Sequence, residues 1–125
     1  MHPSPDIIIV EDNVALREAL ADHLEDDGFV VRGVDDGVSL YAALAERATQ
    51  ALVLDLNLPF EDGSAIAKRV RKDFPGIAIL ILSARVRRND GGEAFANVAD
   101  AYLSKPAMPD ELTRVLRRLC QVPVA

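Results

Sequence analysis

The chain has 125 residues, half of them apolar and 27% charged, which suits one folded domain and excludes a mostly disordered chain. Its formal net charge of −6 argues against nonspecific nucleic-acid binding and against docking on anionic membranes, both of which need a basic face. A single cysteine, Cys120, excludes an internal disulfide and any multi-cysteine metal centre. Taken in chain order, residues 1–5 read as a flexible N-terminus. They offer neither the basic nor the apolar region of a signal peptide, so a cytoplasmic location is expected. Residues 7–10 form a strand-length apolar run. Leu16, Leu20 and Leu24 then share one helical face, with Gly28 placed to end the helix. Residues 29–31 predict a second strand, and Leu40 and Leu44 mark a second helix. Residues 51–54 predict the third strand. Ile66, Val70 and Phe74 mark a third helix, which Pro75-Gly76 stops. The fourth strand spans 77–82, far short of a membrane span. Residues 85–98 carry Asn89-Asp90-Gly91-Gly92 and predict only a short helix after Gly92. A brief strand at 101–103 precedes a last helix over 109–120, with Leu112, Val115, Leu116 and Leu119 inward. Residues 121–125 read as a tail or the start of a linker.

Strands alternating with helices, and reading as nearly continuous apolar runs, predict an α/β fold: a parallel sheet covered on both faces. In such sheets the functional crevice lies at the carboxyl ends of the strands. Here the first strand ends in Glu11-Asp12-Asn13, the third in Asp55, the fourth in Ser83 and the fifth in Ser104-Lys105-Pro106. Clustered carboxylates repel unless a cation joins them, and oxygen ligands suit Mg²⁺ or Mn²⁺ rather than zinc. A lysine facing them suggests that an anion is handled there too, and a phosphoryl group needs both. Blander readings stand beside this one. Glu11-Asp12 can simply cap the first helix, Ser83 can be an ordinary strand-end hydroxyl, and Tyr102 an edge-strand aromatic. His23 reads as surface-facing, Cys120 as a core or boundary residue, and Arg85-Val-Arg-Arg88 as a solvated loop.

The chain resembles the receiver domain of bacterial two-component response regulators. The residues that carry the likeness are Glu11-Asp12, Leu52-Val-Leu-Asp55-Leu-Asn-Leu-Pro59 with Gly63, Ser83-Ala84, and Ala99-Asp-Ala-Tyr-Leu-Ser-Lys105-Pro106. The resemblance covers residues 6–120 and implies a doubly wound, flavodoxin-like sheet of five parallel strands in the order 2-1-3-4-5. It implies that Asp55 accepts a phosphoryl group from a histidine kinase or phosphotransfer protein. Mg²⁺ (or Mn²⁺) would be bound by Asp12 and Asp55, with Glu11 acting through water and Asn57 through its backbone carbonyl. Ser83 would donate a hydrogen bond to the aspartyl phosphate. Lys105 would pair with a phosphoryl oxygen, positioned by a cis bond at Pro106. Tyr102 would turn inward as Ser83 moves. The implied domain is a signalling module rather than an enzyme. It would control an output domain, transcriptional by expectation, or a partner, with homodimer formation on phosphorylation, and would bind neither nucleic acid nor membrane itself.

Two other classes share part of this pattern. A phosphotransferase or phosphatase of haloacid-dehalogenase type needs a second acid two residues after its nucleophile, where this chain has Asn57, and commonly carries a cap domain. A receiver-like module that never takes phosphate typically loses the acceptor or the lysine, and both are present. The chain departs from the family pattern at Val98, Ala101, Ala107 and the arginines 114, 117 and 118, which bears on the output surface rather than on the chemistry.

Overall fold

The alternation read from the sequence is the chain's architecture. The computed structural model describes residues 4–83, 98–105 and 109–121. In order these give β1 (Asp6–Val10), α1 (Val14–Asp26), β2 (Val30–Val34), α2 (Gly37–Glu46), β3 (Ala51–Asp55), α3 (Gly63–Asp73), β4 (Ala78–Ser83), β5 (Ala101–Ser104) and α4 (Pro109–Leu119). The five strands pair in the order β2-β1-β3-β4-β5, every neighbour parallel, as the resemblance implies. The helix expected after Gly92, together with Pro106, Ala107 and most of the tail, lies outside the described residues.

Period-two alternation divides the core between the two faces of the sheet. Ile8, Val10, Leu52, Leu54, Ile79 and Ile81 point to one side and pack with Leu40, Leu44, Ile66 and Val70 of α2 and α3. Ile7, Ile9, Ala51, Val53, Leu80, Leu82 and Leu103 point to the other and meet Leu20 and Leu24 of α1 and Leu112 and Leu116 of α4. Burial on both faces is why β1, β3 and β4 are apolar almost without interruption.

Several local expectations need correction. The second strand is Val30–Val34 rather than 29–31, with Phe29 buried just before it. Being an edge strand it tolerates Arg32, whose guanidinium meets Asp6 at 3.0 Å and the Ala43 carbonyl at 2.7 Å. The cap of α1 is neither Glu11 nor Asp12 but Asn13, whose side chain accepts from the Leu16 N–H at 2.9 Å. Asp36 and Asp62 do the same for α2 and α3. His23 is not purely surface-facing: its Nε2 lies 3.2 Å from Asp27 and 3.4 Å from Asp110, where α1 meets α4. Cys120 follows the end of α4 and packs against the core as a boundary residue. Among the described residues no helix is long and apolar enough to cross a membrane.

The packing separates residues that matter for folding from those that do not. Leu24 is fully buried, and Leu24→Ala should cost about 2–5 kcal/mol in urea denaturation. Val38 is 80% exposed, and Val38→Ala should stay within about 0.5 kcal/mol of the parent.

Candidate functional site

The strands end together, and the polar residues at their ends converge. Asp55 closes β3 and Glu11 follows β1; both carboxylates are almost fully buried, at 2% and 3% exposure. Lys105, directly after β5, places its ammonium 2.9 Å from Asp55 Oδ2 and 3.2 Å from Glu11 Oε2. The second Asp55 oxygen, Oδ1, accepts the Asn57 N–H at 2.9 Å. Asp12 is exposed at the mouth, and one oxygen from each of Glu11, Asp12 and Asp55 lies within 4.8 Å of the others. Ser83 is buried at the end of β4, and its carbonyl receives the Lys105 N–H at 2.8 Å. Tyr102 is half-buried on β5, packed against the α2–α3 side of the core.

The side-chain series sorts these residues by face. Glu11, Asp55 and Lys105 continue the series that packs toward α1 and α4, whereas Ser83 and Tyr102 continue the one toward α2 and α3. The site therefore straddles the end of the sheet, with the charges of Glu11, Asp55 and Lys105 in one series and the hydroxyls of Ser83 and Tyr102 in the other.

Burial and the neighbouring Asp55 push Glu11 up to about 7, against the opposing pull of Lys105. Burial works against the charge on Asp55 as well. Hydrogen bonds from Glu11, the Asn57 amide and Lys105 outweigh it, so Asp55 titrates below the ordinary carboxylate range. Desolvation alone would lower Lys105, but its two carboxylate partners raise it. The two carboxylates are thus driven apart, Glu11 upward and Asp55 downward, and they titrate as a pair. The donor set suits a hard divalent cation: three carboxylates lie within reach of one point, and burial beside Asp55 raises the proton affinity of one of them, Glu11. The same oxygens, with Lys105, could neutralise a phosphoryl group.

Local structure holds this arrangement. Gly63 begins α3 so close beneath the Asp55 loop that a Cβ there would stand 2.7 Å from the Leu56 Cα. On the other side Arg17 donates to the Glu11 carbonyl at 2.8 Å, fixing the turn after β1. Sequence reasoning missed Arg17, because an arginine one turn into a helix carries no signal that separates it from a solvated one. It also missed Glu61, whose carboxylate accepts the Gly37 N–H across the loops. An open cleft of about 510 Å³ adjoins the cluster through Asp12 and is flanked by Asp35, Asp36, Val38, Phe60 and Glu61.

Glu11 makes stability pH-dependent in a testable direction. Its folded value lies above its unfolded one, so the folded state binds more protons between about pH 4.5 and pH 7, and stability falls as pH rises through that window. Asp55 is lowered and Lys105 raised, so their contributions are lost only in acid and in strong base respectively. In metal-free buffer the melting temperature should fall from pH 5 to pH 8. Glu11→Gln should flatten that slope, and millimolar Mg²⁺ should reduce it. An unchanged slope in the variant would show that another group controls it.

Comparison with known proteins gives a consistent answer. Residues 7–117 match the family model of the response regulator receiver domain. The aerobic respiration control protein ArcA of Escherichia coli is 32% identical over 116 residues, covering 93% of this chain and 48% of ArcA. The virulence transcriptional regulatory protein PhoP of Salmonella typhimurium is 32% identical over 113 residues, covering 90% of this chain and 50% of PhoP. This chain thus spans about half the length of the curated relatives it matches. Among solved structures, NtrX from Brucella abortus in complex with ADP superposes with a TM-score of 0.87 at 28% identity, over 94% of this chain and 27% of that one. The receiver domain of the Francisella response regulator 1452 gives 0.87 at 24% identity, over 94% and 98% of the two chains.

Proposed function

The chain belongs to the response regulator receiver domain family, and from that premise we propose that Asp55 is its phosphoacceptor in two-component signalling. The observation that carries the reading is the setting of Asp55: buried, held by the Asn57 amide and faced by the Lys105 ammonium at the carboxyl end of the sheet. Receiver domains work with histidine kinases. The donor here is accordingly the phosphohistidine of such a kinase or of a phosphotransfer protein. A carboxylate oxygen of Asp55 attacks the phosphorus, the new P–O bond forms as the P–N bond breaks, and the departing imidazole keeps the electron pair.

Receiver domains generally bind Mg²⁺ at an acidic pocket, and here Asp12, Asp55, the Asn57 backbone carbonyl and Glu11, the last through water, would hold it. The cation supplies charge neutralisation for the transferring group. This chain's own residues do the rest. Asn57 orients the attacking carboxylate by its N–H. Lys105 already stands within bonding distance of Asp55, so only a small shift carries it to a phosphoryl oxygen. Ser83 then donates its hydroxyl to the aspartyl phosphate, and Tyr102 turns toward the space this frees. Residues 6–120 form the signalling unit, and its output is transcriptional, by analogy with relatives whose names describe respiratory control and transcriptional regulation. Homodimer formation on phosphorylation and a cytoplasmic location complete the reading.

Acetyl phosphate with Mg²⁺ should label wild-type protein to one equivalent, read by intact mass. Asp55→Asn should take no label, and EDTA should block labelling of the wild type. Asp12→Ala and Lys105→Ala should each slow labelling by ~100-fold, the usual effect of deleting a preorganised electrostatic group. Normal labelling of Asp55→Asn would refute the assignment. Sustained turnover of small phosphomonoesters would instead favour an aspartyl-phosphate hydrolase.

A further inference from the structure

The loop that follows Asp55 is anchored at two points, one of them unused in the chemistry above. Its base is Gly63, packed against the Asp55 and Leu56 backbone. Its outer anchor is Glu61, whose carboxylate oxygens both lie within bonding distance of the Gly37 N–H, at 2.9 and 3.2 Å. Gly37 is the first residue of α2, and the capping side chain of Asp36 is already committed to Ser39. The Gly37 N–H would otherwise be one of the orphan donors of the first turn, and the positive end of the helix favours a carboxylate there. In an ordinary capping box the acid comes from the same helix. Here it crosses from another loop, 24 residues further along the chain. Room is left for it, since a Cβ on Gly37 would stand 2.6 Å from Glu61 Oε1.

Between the anchors lie Asn57, Leu58, Pro59 and Phe60. Leu58 is buried, but Pro59 is exposed and Phe60 is 96% exposed, so burial does little to fix the loop's outer half. We propose that Glu61 is a positioning residue: its strap to the N-terminus of α2 holds the acceptor loop, and with it the Asn57 carbonyl, beside the acidic cluster, and so sets the site's affinity for a divalent cation. The inference rests on the reading of Asp55 as a phosphoacceptor that works with Mg²⁺.

The test measures Mg²⁺ binding to the full chain by calorimetry, with no phosphodonor present. Glu61→Ala should weaken binding by about tenfold, within the usual range for a residue behind the ligands. It should raise the Mg²⁺ concentration for half-maximal acetyl phosphate labelling by the same factor, while the rate at saturating Mg²⁺ stays within about twofold, since the reacting groups are untouched. Gly37→Ala attacks the same contact from its other end and should reproduce the effect, and the double variant should be no weaker than either single one. Glu61→Gln keeps an acceptor oxygen and should recover most of the affinity. In metal-free protein, amide exchange at residues 57–60 should be faster in Glu61→Ala. Either alanine variant suffices if the other does not fold. Mg²⁺ affinity within about twofold of wild type in a folded Glu61→Ala or Gly37→Ala chain would overturn the strap. A wild-type chain that bound no Mg²⁺ and took no phosphate would instead overturn the phosphoacceptor reading, which the same titration distinguishes.

Discussion

One ammonium group sets the charge balance of the whole carboxyl rim. Lys105 bridges two buried carboxylates and favours the charged form of each. Lys105 stands at the edge strand β5, while Glu11 belongs to β1, three strand positions away, or about 14 Å across a flat sheet. Long side chains leaning in from both sides close that gap. The intervening β4 ends in Ser83, whose side chain belongs to the opposite series and leaves the passage open. One ammonium facing two buried carboxylates does not offset their burial equally, and Glu11 is the one whose affinity for a proton rises.

The rest of the site is held by turns rather than by burial. Each helix that follows a central loop begins with a short polar cap: Asn13 before α1, Asp36 before α2, Asp62 before α3. These caps satisfy the first helical N–H groups locally and fix where each loop leaves its strand. The acidic residues at the rim therefore divide into two populations. Asp36 and Asp62 serve backbone geometry, while Glu11, Asp12 and Asp55 face one another. Charge counts alone do not tell them apart.

What could be read from the sequence follows from the range of the forces involved. The strands β1, β3 and β4 were legible because burial on both faces forces apolar runs, and the residues after them were legible as a site because parallel strands end on one rim. The edge strand β2 was misplaced because Arg32 interrupts its pattern, and the partner that permits Arg32, Asp6, lies 26 residues earlier. The Asn13 cap has a local signature that the adjacent acids masked. That Glu11 and Lys105 share one rim followed from the pattern of strand ends, but their direct pairing across 94 residues has no local signal and is seen only in the structure. Glu61 had neither signal: an isolated acid in a polar loop looks the same whether it strays into solvent or caps a remote helix.

The division of residues between the two series of side chains also limits how the chain can change length. Along β3, the hydrophobic positions and the reactive carboxylate are counted out in twos from Ala51 to Asp55. A single-residue insertion in this strand would carry Asp55 to the opposite face, away from Lys105, even if the hydrogen-bond ladder re-formed. A two-residue insertion would restore the face but advance the carboxylate by roughly 6.6 Å, out of reach of the ammonium. Within β3, then, length is as constrained as composition, whereas the exposed Pro59 and Phe60 that follow lie in a stretch where such counting no longer applies.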